Sequence, residues 1–236
     1  MVIPAYNEAD RIVDTLHGAI GYLDAEPYDA EIIVVDDGSD DGTRAAVEGV
    51  GAAGRTPVRC VHYAANQGKG FAVREGMAAA TGDYRVFYDA DGSTPIAELE
   101  KLWPRFEAGA DVVIGSRSLP ESDVAVRQAW YRECMGKVFN GVLRLLGLTR
   151  FRDTQCGFKG FTAAACAVIF PRQTIMHFSF DAELLYIAQL HGLRVDEVPL
   201  RWLNEPKSRV HPVRDAVRMF WDLLRVRWRA LRGGYD

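Results

Sequence analysis

The stretch Glu31-Ile32-Ile33-Val34-Val35 is apolar without alternation and ends abruptly at Asp36-Asp37-Gly38-Ser39. A strand that is apolar on both sides needs cover on both faces, the condition met in a parallel sheet with helices above and below. The same grammar recurs along the first half of the chain. Val2-Ile3 runs into Pro4-Ala5-Tyr6-Asn7-Glu8, and residues 58–63 precede Asn66-Gln67-Gly68-Lys69-Gly70. Residues 84–88 stop at Asp89-Ala90-Asp91-Gly92-Ser93-Thr94-Pro95, and 111–114 stop at Gly115-Ser116-Arg117. Between these runs, helical spacing through Ile12, Leu16, Ile20 and Leu23, through Phe71, Val73 and Met77, and over 99–106 predicts helices. The alternation predicts an α/β fold with a mostly parallel, doubly wound sheet flanked by helices.

Beyond Arg117 the texture changes to a loop and an amphipathic helix over 132–146, then Asp153-Thr154-Gln155-Cys156-Gly157-Phe158-Lys159. A helix over 178–190, a strand over 195–202 and a terminal helix over 213–231 follow. At 236 residues the chain suits one large domain with a sizeable core. No apolar run reaches the ~18 residues of a spanning helix, and no signal peptide opens the chain. The first strand is short at its start, which leaves open whether residues precede Met1. Cys60, Cys134, Cys156 and Cys166 form no CxxC pair, which argues against a zinc or dithiol motif and for reduced thiols in a cytosolic protein. The net charge of −4 divides into +5 over 206–236 and −9 elsewhere, the pattern of a tail that meets an anionic surface rather than of a nucleic-acid binder.

Ligands of open α/β sheets bind beyond the carboxyl ends of the strands, and Tyr6, Asp37, Asp89 and Asp91 fall at such ends. Two carboxylates two residues apart in an extended segment point the same way, so Asp89 and Asp91 suit a hard divalent cation, Mg2+ or Mn2+, whose shell a diphosphate completes. The plainer alternative for a lone Asp-x-Asp is a solvated turn. The loop 66–70 lacks both the P-loop spacing and the GxGxxG fingerprint; its N–H groups and Lys69 either face phosphate or merely turn the chain.

Taken together, these pieces resemble the family 2 glycosyltransferases of GT-A type, with their Rossmann-like sheet. Asp153 to Lys159, Phe180-Asp181-Ala182-Glu183, and Trp202 through Ser208-Arg209 to Pro212 are similar to dolichyl-phosphate β-glucosyltransferases, more so than to polyprenyl-phosphate mannosyltransferases. The resemblance implies a GT-A domain over 1–205, with a nucleotide half 1–117 and an acceptor half 118–205. A donor-closing loop and a basic amphipathic helix occupy 206–236. It implies that Pro4, Tyr6, Glu8 and Asp37 hold the nucleoside, and that Lys69, Asp89 and Ala90 contact the donor. Asp91, with Asp89, ligates the metal near Ser93, and Ser208 and Arg209 close over the diphosphate, although relatives often carry Lys at the last position. Arg117 and Arg132 grip the acceptor phosphate. Asp153 is a candidate base or orienting group, with an ion pair to Arg150 or Arg152 or helix capping as alternatives; His177 and His211 are assigned no role.

The implied reaction is an inverting single displacement that moves a hexose, glucose from UDP-glucose, onto a polyprenyl or dolichyl phosphate. The catalytic set is Asp91, Asp153 and Arg117. Such an acceptor is already anionic near neutral pH, so it needs positioning more than a strong base. In the tail, Val213, Val217, Phe220, Leu224, Trp228 and Leu231 form an apolar stripe beside Arg214, Arg218, Arg225, Arg229 and Arg232. That helix, with the amphipathic segment 138–148, either lies on a membrane surface or packs on the protein's own core. The expected place is cytoplasmic, peripheral at the inner face of a membrane. The competing readings are a GDP-mannose-dependent transferase, a non-catalytic nucleotide-sugar-binding protein, and a nucleotidyltransferase, which lacks its Gly-rich, Arg-containing N-terminal loop here.

Overall fold

The computed structural model describes residues 1–50, 54–124, 130–203 and 212–236. Its strands are β1 (Val2–Ala5), β2 (Ile32–Asp36), β3 (Val58–His62), β4 (Tyr84–Tyr88), β5 (Val112–Ser116), β6 (Asp123–Val124), β7 (Phe158–Thr162), β8 (Val195–Pro199) and β9 (Arg201–Trp202). Its helices are α1 (Ile12–Ala25), α2 (Thr43–Val50), α3 (Lys69–Ala79), α4 (Trp103–Glu107), α5 (Trp130–Leu145), α6 (Ala163–Ile169), α7 (Phe180–Leu190) and α8 (Pro212–Leu231). A seven-stranded sheet runs in the order β3-β2-β1-β4-β7-β5-β8, and β6 pairs with β9 apart from it. The order reverses direction between β1 and β4, which makes the carboxyl ends of these two strands the switch point where ligands of such sheets bind.

The apolar runs are buried on both faces, as the absence of alternation predicts. In β2, Ile33 and Val35 belong to one core cluster and Ile32 and Val34 to the other. Helix α1 contributes Ile12, Leu16, Ile20 and Leu23 to the second cluster. Each such side chain, fully buried, contributes roughly 1.5–3 kcal/mol, so packing rather than helix propensity holds the element. On the opposite face α3 approaches the sheet closely. A Cβ at Gly76 would lie 2.3 Å from Val2 Cγ1, so only glycine permits that approach.

Three local readings are revised. Residues 99–106 are not one helix: a 3-10 turn, Ile96–Lys101, precedes α4, where Pro104 cannot donate a backbone hydrogen bond. The strand over 195–202 is two strands, because the chain leaves the sheet after Pro199 and β9 joins β6. The largest revision is β7, a strand the sequence does not announce because its residues, Phe-Lys-Gly-Phe-Thr, lack an apolar run. It enters antiparallel between β4 and β5, pairing Tyr88 with Phe158 and Ile114 with Lys159. Its starting end therefore lies at the carboxyl ends of its neighbours. The preceding residues 153–157 are carried onto the same edge as Asp89 and Arg117.

Candidate active site

The end of β1 is knitted to the end of β2. Asn7 adopts a left-handed backbone, φ 56°. Its N–H donates to Ser39 Oγ at 2.9 Å, and its Oδ1 accepts from the Asp40 N–H at 3.0 Å. Pro4 is buried, whereas Tyr6 is exposed at the rim with its ring available to a ligand. Glu8 is buried and ion-paired with Arg11, whose Nη2 lies 2.9 Å from Oε1. Arg11 is absent from the sequence-derived site, although its spacing three residues after Glu8 was available as a signal.

The acidic end of β2 is occupied by the protein itself. Asp37 accepts the Gln67 N–H at 2.8 Å and the Gly68 N–H at 2.7 Å, one on each carboxylate oxygen. Burial raises the Asp37 carboxyl and these two bonds oppose the rise. Asp36 is fully buried and bonded to the Ser39 N–H and to His62. The glycines of loop 66–70 likewise face protein rather than open space. Gly68 has φ +109°, and a Cβ there would sit 2.3 Å from the Met176 carbonyl; one at Gly70 would sit 2.7 Å from the Ile175 carbonyl. The N–H groups of Gln67, Gly68 and Phe71 are thus spent on Asp37 and Met176. The alternative of a phosphate cradle narrows to Lys69.

The end of β4 is arranged differently. Lys69 Nζ lies 2.6 Å from Asp89 Oδ1. Burial alone would lower the Lys69 ammonium, but Asp89 and, further off, Asp181 outweigh it, so the amine is held above its ordinary value and stays charged. Asp89 is closed in from the other side by Gly157: a Cβ there would fall 1.8 Å from Asp89 Oδ2, so the position admits only glycine. Ala90 is buried and its carbonyl accepts from Thr15 Oγ1 at 2.8 Å. Asp91 Oδ1 accepts the Ser93 N–H at 2.9 Å and the side chain remains partly open. Ser93 Oγ is buried with no hydrogen-bond partner among the described residues.

This donor set fits a hard cation in a limited way. Among the described residues no three His, Cys, Asp or Glu side chains converge as a metal cage. Asp91 offers hard oxygen, Asp89 is already neutralised by Lys69, and the orphaned Ser93 hydroxyl awaits a partner. A cation here takes most of its shell from water and a ligand's phosphates, the habit of Mg2+ and Mn2+.

Across the edge, Arg117 and Asp153 form a two-pronged ion pair: Nε–Oδ2 is 2.7 Å and Nη2–Oδ1 is 2.9 Å. The Arg117 N–H also donates to Asp153 Oδ2 at 3.0 Å. Burial would raise the Asp153 carboxyl, but the charge and hydrogen bonds of Arg117 overcome it and hold the group below the usual carboxylate range. A carboxylate so engaged is a poor proton acceptor and a good orienter. The pairing partner is Arg117 and neither Arg150 nor Arg152. The pair uses Nε and one Nη2 hydrogen, and among the described residues Nη1 has no partner, which leaves that side of the guanidinium for a second, bidentate anion. Trp202 lies beneath, its ring centroid 5.4 Å from Arg117 Cζ. Ser208 and Arg209 lie outside the described residues, as does the side chain of Arg132.

The family model described as glycosyl transferase family 2 matches residues 1–172, nearly three quarters of the chain. The chain belongs to glycosyl transferase family 2. The dolichyl-phosphate beta-glucosyltransferase of Dictyostelium discoideum is 33% identical over 99% of this chain and 75% of its own length. The human protein of that name is 33% identical over 100% of this chain and 76% of its own. Among solved structures, Mycobacterium tuberculosis glucosyl-3-phosphoglycerate synthase with Mn2+, UDP and glucosyl-3-phosphoglycerate superposes with a TM-score of 0.72 at 21% identity. That match covers 96% of this chain and 78% of the other. The resemblance read from the motifs is borne out: the chain is a glycosyltransferase with a GT-A type sheet flanked by helices and closed by a C-terminal helix.

In this transferase α8 divides its apolar residues between two faces. Leu223 and Val226 are buried against the body, and Tyr235 beyond the helix is buried, its OH donating to Glu183 Oε1 at 2.6 Å. Glu183 also accepts the Thr174 and Ile175 N–H groups, which anchors the loop that packs on Gly68 and Gly70. Of the stripe expected to face either core or membrane, Phe220, Trp228 and Leu231 look outward, 46–72% exposed, and Leu224 is half-buried; Trp221, outside that stripe, is exposed as well, beside exposed Arg218, Arg225, Arg229 and Arg232. Val138 and Leu145 of α5 are exposed too. The side chains of Val213, Arg214 and Val217, and residue His211, are outside the described residues. Among the described residues no helix is long and apolar enough to cross a membrane.

Proposed function

We propose that this transferase moves glucose from UDP-glucose onto a polyprenyl or dolichyl phosphate, working peripherally at a membrane surface from its cytoplasmic side. The observation that carries the reading is the pairing of two unlike subsites on one sheet edge. A partly open carboxylate, Asp91, sits beside Lys69–Asp89, and an arginine, Arg117, is locked by Asp153 with one edge of its guanidinium unpartnered among the described residues. The first suits a nucleoside diphosphate and its divalent cation; the second suits a separate phosphate. The relatives named dolichyl-phosphate beta-glucosyltransferase support the choice of sugar and lipid.

On this reading Tyr6 stacks on the base, and Lys69 faces the diphosphate together with Ser208 and Arg209. A Mg2+ or Mn2+ held by Asp91, when bound, offsets negative charge on the departing diphosphate. Arg117 and Arg132 aim the lipid phosphate at the anomeric carbon, with Asp153 fixing the first guanidinium. No general base is required, because the acceptor oxygen is already ionised near neutral pH. The outward face of α8 lies among anionic headgroups, its tryptophans at the interface and its arginines against lipid phosphate.

The decisive experiment supplies radiolabelled UDP-glucose or GDP-mannose with polyprenyl phosphate in vesicles and Mn2+, and counts label in the organic phase. Label is expected from UDP-glucose. Preferential transfer from GDP-mannose overturns the sugar assignment, and no transfer from any nucleotide sugar overturns the acceptor assignment. Trp221→Ala/Trp228→Ala should release the protein from anionic vesicles in a sedimentation assay while its melting temperature stays unchanged; undiminished vesicle binding removes α8 from the membrane contact.

A further inference from the structure

Lys159 occupies a position that reads as core. It pairs in register with Phe87 and Ile114, and on its face of the sheet Phe87, Ile114 and Phe161 belong to an apolar cluster. Its side chain is 0% exposed, yet it ends in an ammonium 2.6 Å from Asp181 Oδ1, a residue in the first turn of α7 that is itself buried. A buried ion pair of this kind is a poor device for stability, since well-packed apolar residues of similar volume often serve as well or better. Its presence in the middle of the sheet calls for another explanation.

The contacts supply one. Besides Asp181, Lys159 Nζ donates to the carbonyl of Cys156. That peptide joins Cys156 to Gly157, whose own carbonyl accepts the Asp89 N–H at 3.0 Å and where a Cβ would fall 1.8 Å from Asp89 Oδ2. Three residues before Cys156, Asp153 grips Arg117. Lys159 therefore holds the short segment 153–157 from below, at a point between the residue that locks Arg117 and the residue that confines Asp89. On the donor side Lys69 Nζ and Lys159 Nζ lie 5.2 and 5.7 Å from the centroid of the same Phe87 ring, each beside its own carboxylate, Asp89 and Asp181.

We propose that the buried Lys159–Asp181 pair is a positioning element that sets the separation between the donor subsite at Asp89 and Asp91 and the acceptor subsite at Arg117–Asp153. The inference rests on the two-subsite reading above. Neither residue touches substrate; both act through the 153–157 segment. The enzyme's in-line reaction is sensitive to this spacing, because a misplacement of about 1 Å costs on the order of 100-fold in rate.

The test replaces the pair by apolar residues of similar size, Lys159→Met/Asp181→Leu, which removes both charges without stranding either. The double variant should melt within about 5 °C of the wild type, the shift expected of a near-neutral core exchange. Its kcat should fall about 100-fold while KM for the nucleotide sugar changes less than about threefold, since alignment and not donor affinity is lost. A crystal structure of the variant should show segment 153–157 displaced relative to Asp89. Wild-type kcat in the folded variant, or an unmoved segment, overturns the proposal. If the double variant does not fold, Lys159→Met, which removes the hold on the Cys156 carbonyl and leaves at Asp181 a carboxyl that burial already raises, takes its place and is judged by kcat and by the position of segment 153–157. Displacement is read without any turnover, so failure of the wild type to glycosylate a polyprenyl phosphate would strike the proposed function and leave this question separately answered.

Discussion

The ends of β2 and β4 look alike in sequence and are used in opposite ways. Each apolar strand stops at a pair of aspartates followed by Gly and Ser: Asp36-Asp37-Gly38-Ser39 and Asp89-Ala90-Asp91-Gly92-Ser93. At β2 each carboxylate oxygen already holds an internal donor, Asp37 from two backbone N–H groups and Asp36 from Ser39 and His62, and Asp37 keeps a second lone pair on each oxygen. At β4 one carboxylate is matched by Lys69, the other has a single backbone partner, and the neighbouring Ser93 hydroxyl has none among the described residues. The β2 end is therefore the more firmly held of the two and the β4 end the more open, while both keep acceptor capacity toward a ligand.

That contrast is open to attack, beginning where the expected effect is largest. Asp91→Ala should lower turnover by roughly 100- to 1,000-fold, the usual cost of removing a group that serves the developing charge. It should cost little stability, because only the Ser93 N–H loses a partner. Steady-state rates and a melting curve decide it, and retained turnover would erase the difference between the two strand ends. Asp37→Ala should do the reverse in stability: with the buried Gly68 N–H and the part-buried Gln67 N–H left unpaired, chemical denaturation should show a loss on the order of 2 kcal/mol.

Asp153 is another firmly held carboxylate and adds a pH signature. Its folded-state pKa is depressed, so its pairing stabilises the fold above the unfolded carboxyl value and that contribution is lost as pH falls through the folded value. In Arg117→Met the stability lost on acidification below about pH 4 should shrink, because Arg117 is the main offset to burial and without it the Asp153 carboxyl is no longer held low. The same variant should raise KM for the acceptor well before it weakens UDP binding measured by calorimetry. Equal loss of both would return Arg117 to a purely structural part. The smallest effect belongs to Ser93→Ala. Without nucleotide, removing an orphaned hydroxyl should leave stability within about 0.5 kcal/mol. UDP affinity in the presence of Mn2+ should fall severalfold, and an unchanged affinity would show that the hydroxyl faces nothing.

Much of the nucleotide half was legible because its functional residues follow directly on apolar strands. Once Ile32–Asp36 and Tyr84–Tyr88 are strands of a parallel sheet, Asp37, Asp89 and Asp91 must share an edge. The acceptor half gave weaker signals. β7 holds Lys159 and Gly160 where a buried strand ordinarily carries apolar residues, and the reason for both is remote in sequence. Lys159 is matched by Asp181, and a Cβ at Gly160 would meet Phe106 at 2.8 Å. Arg11 and Tyr235 carry no signal of their own for a related reason: each takes its meaning from a partner, Glu8 and Glu183. The glycines of loop 66–70 were noticed, but their cause, the backbone of Ile175 and Met176, lies more than a hundred residues away.

The sequence by itself determined the layered α/β plan, the strand ends that carry polar residues, and the amphipathic character of the last helix. Local periodicity and turn chemistry suffice for these, since they depend on neighbours three or four positions apart. Tertiary structure alone decided the antiparallel entry of β7, the pairing of Asp153 with Arg117, the burial of Lys159 against Asp181, and which apolar residues of α8 turn outward. Each is a choice among partners that a chain offers in surplus. Desolvation makes the choice binding, because a buried charge or N–H group must find its match wherever packing brings one within reach.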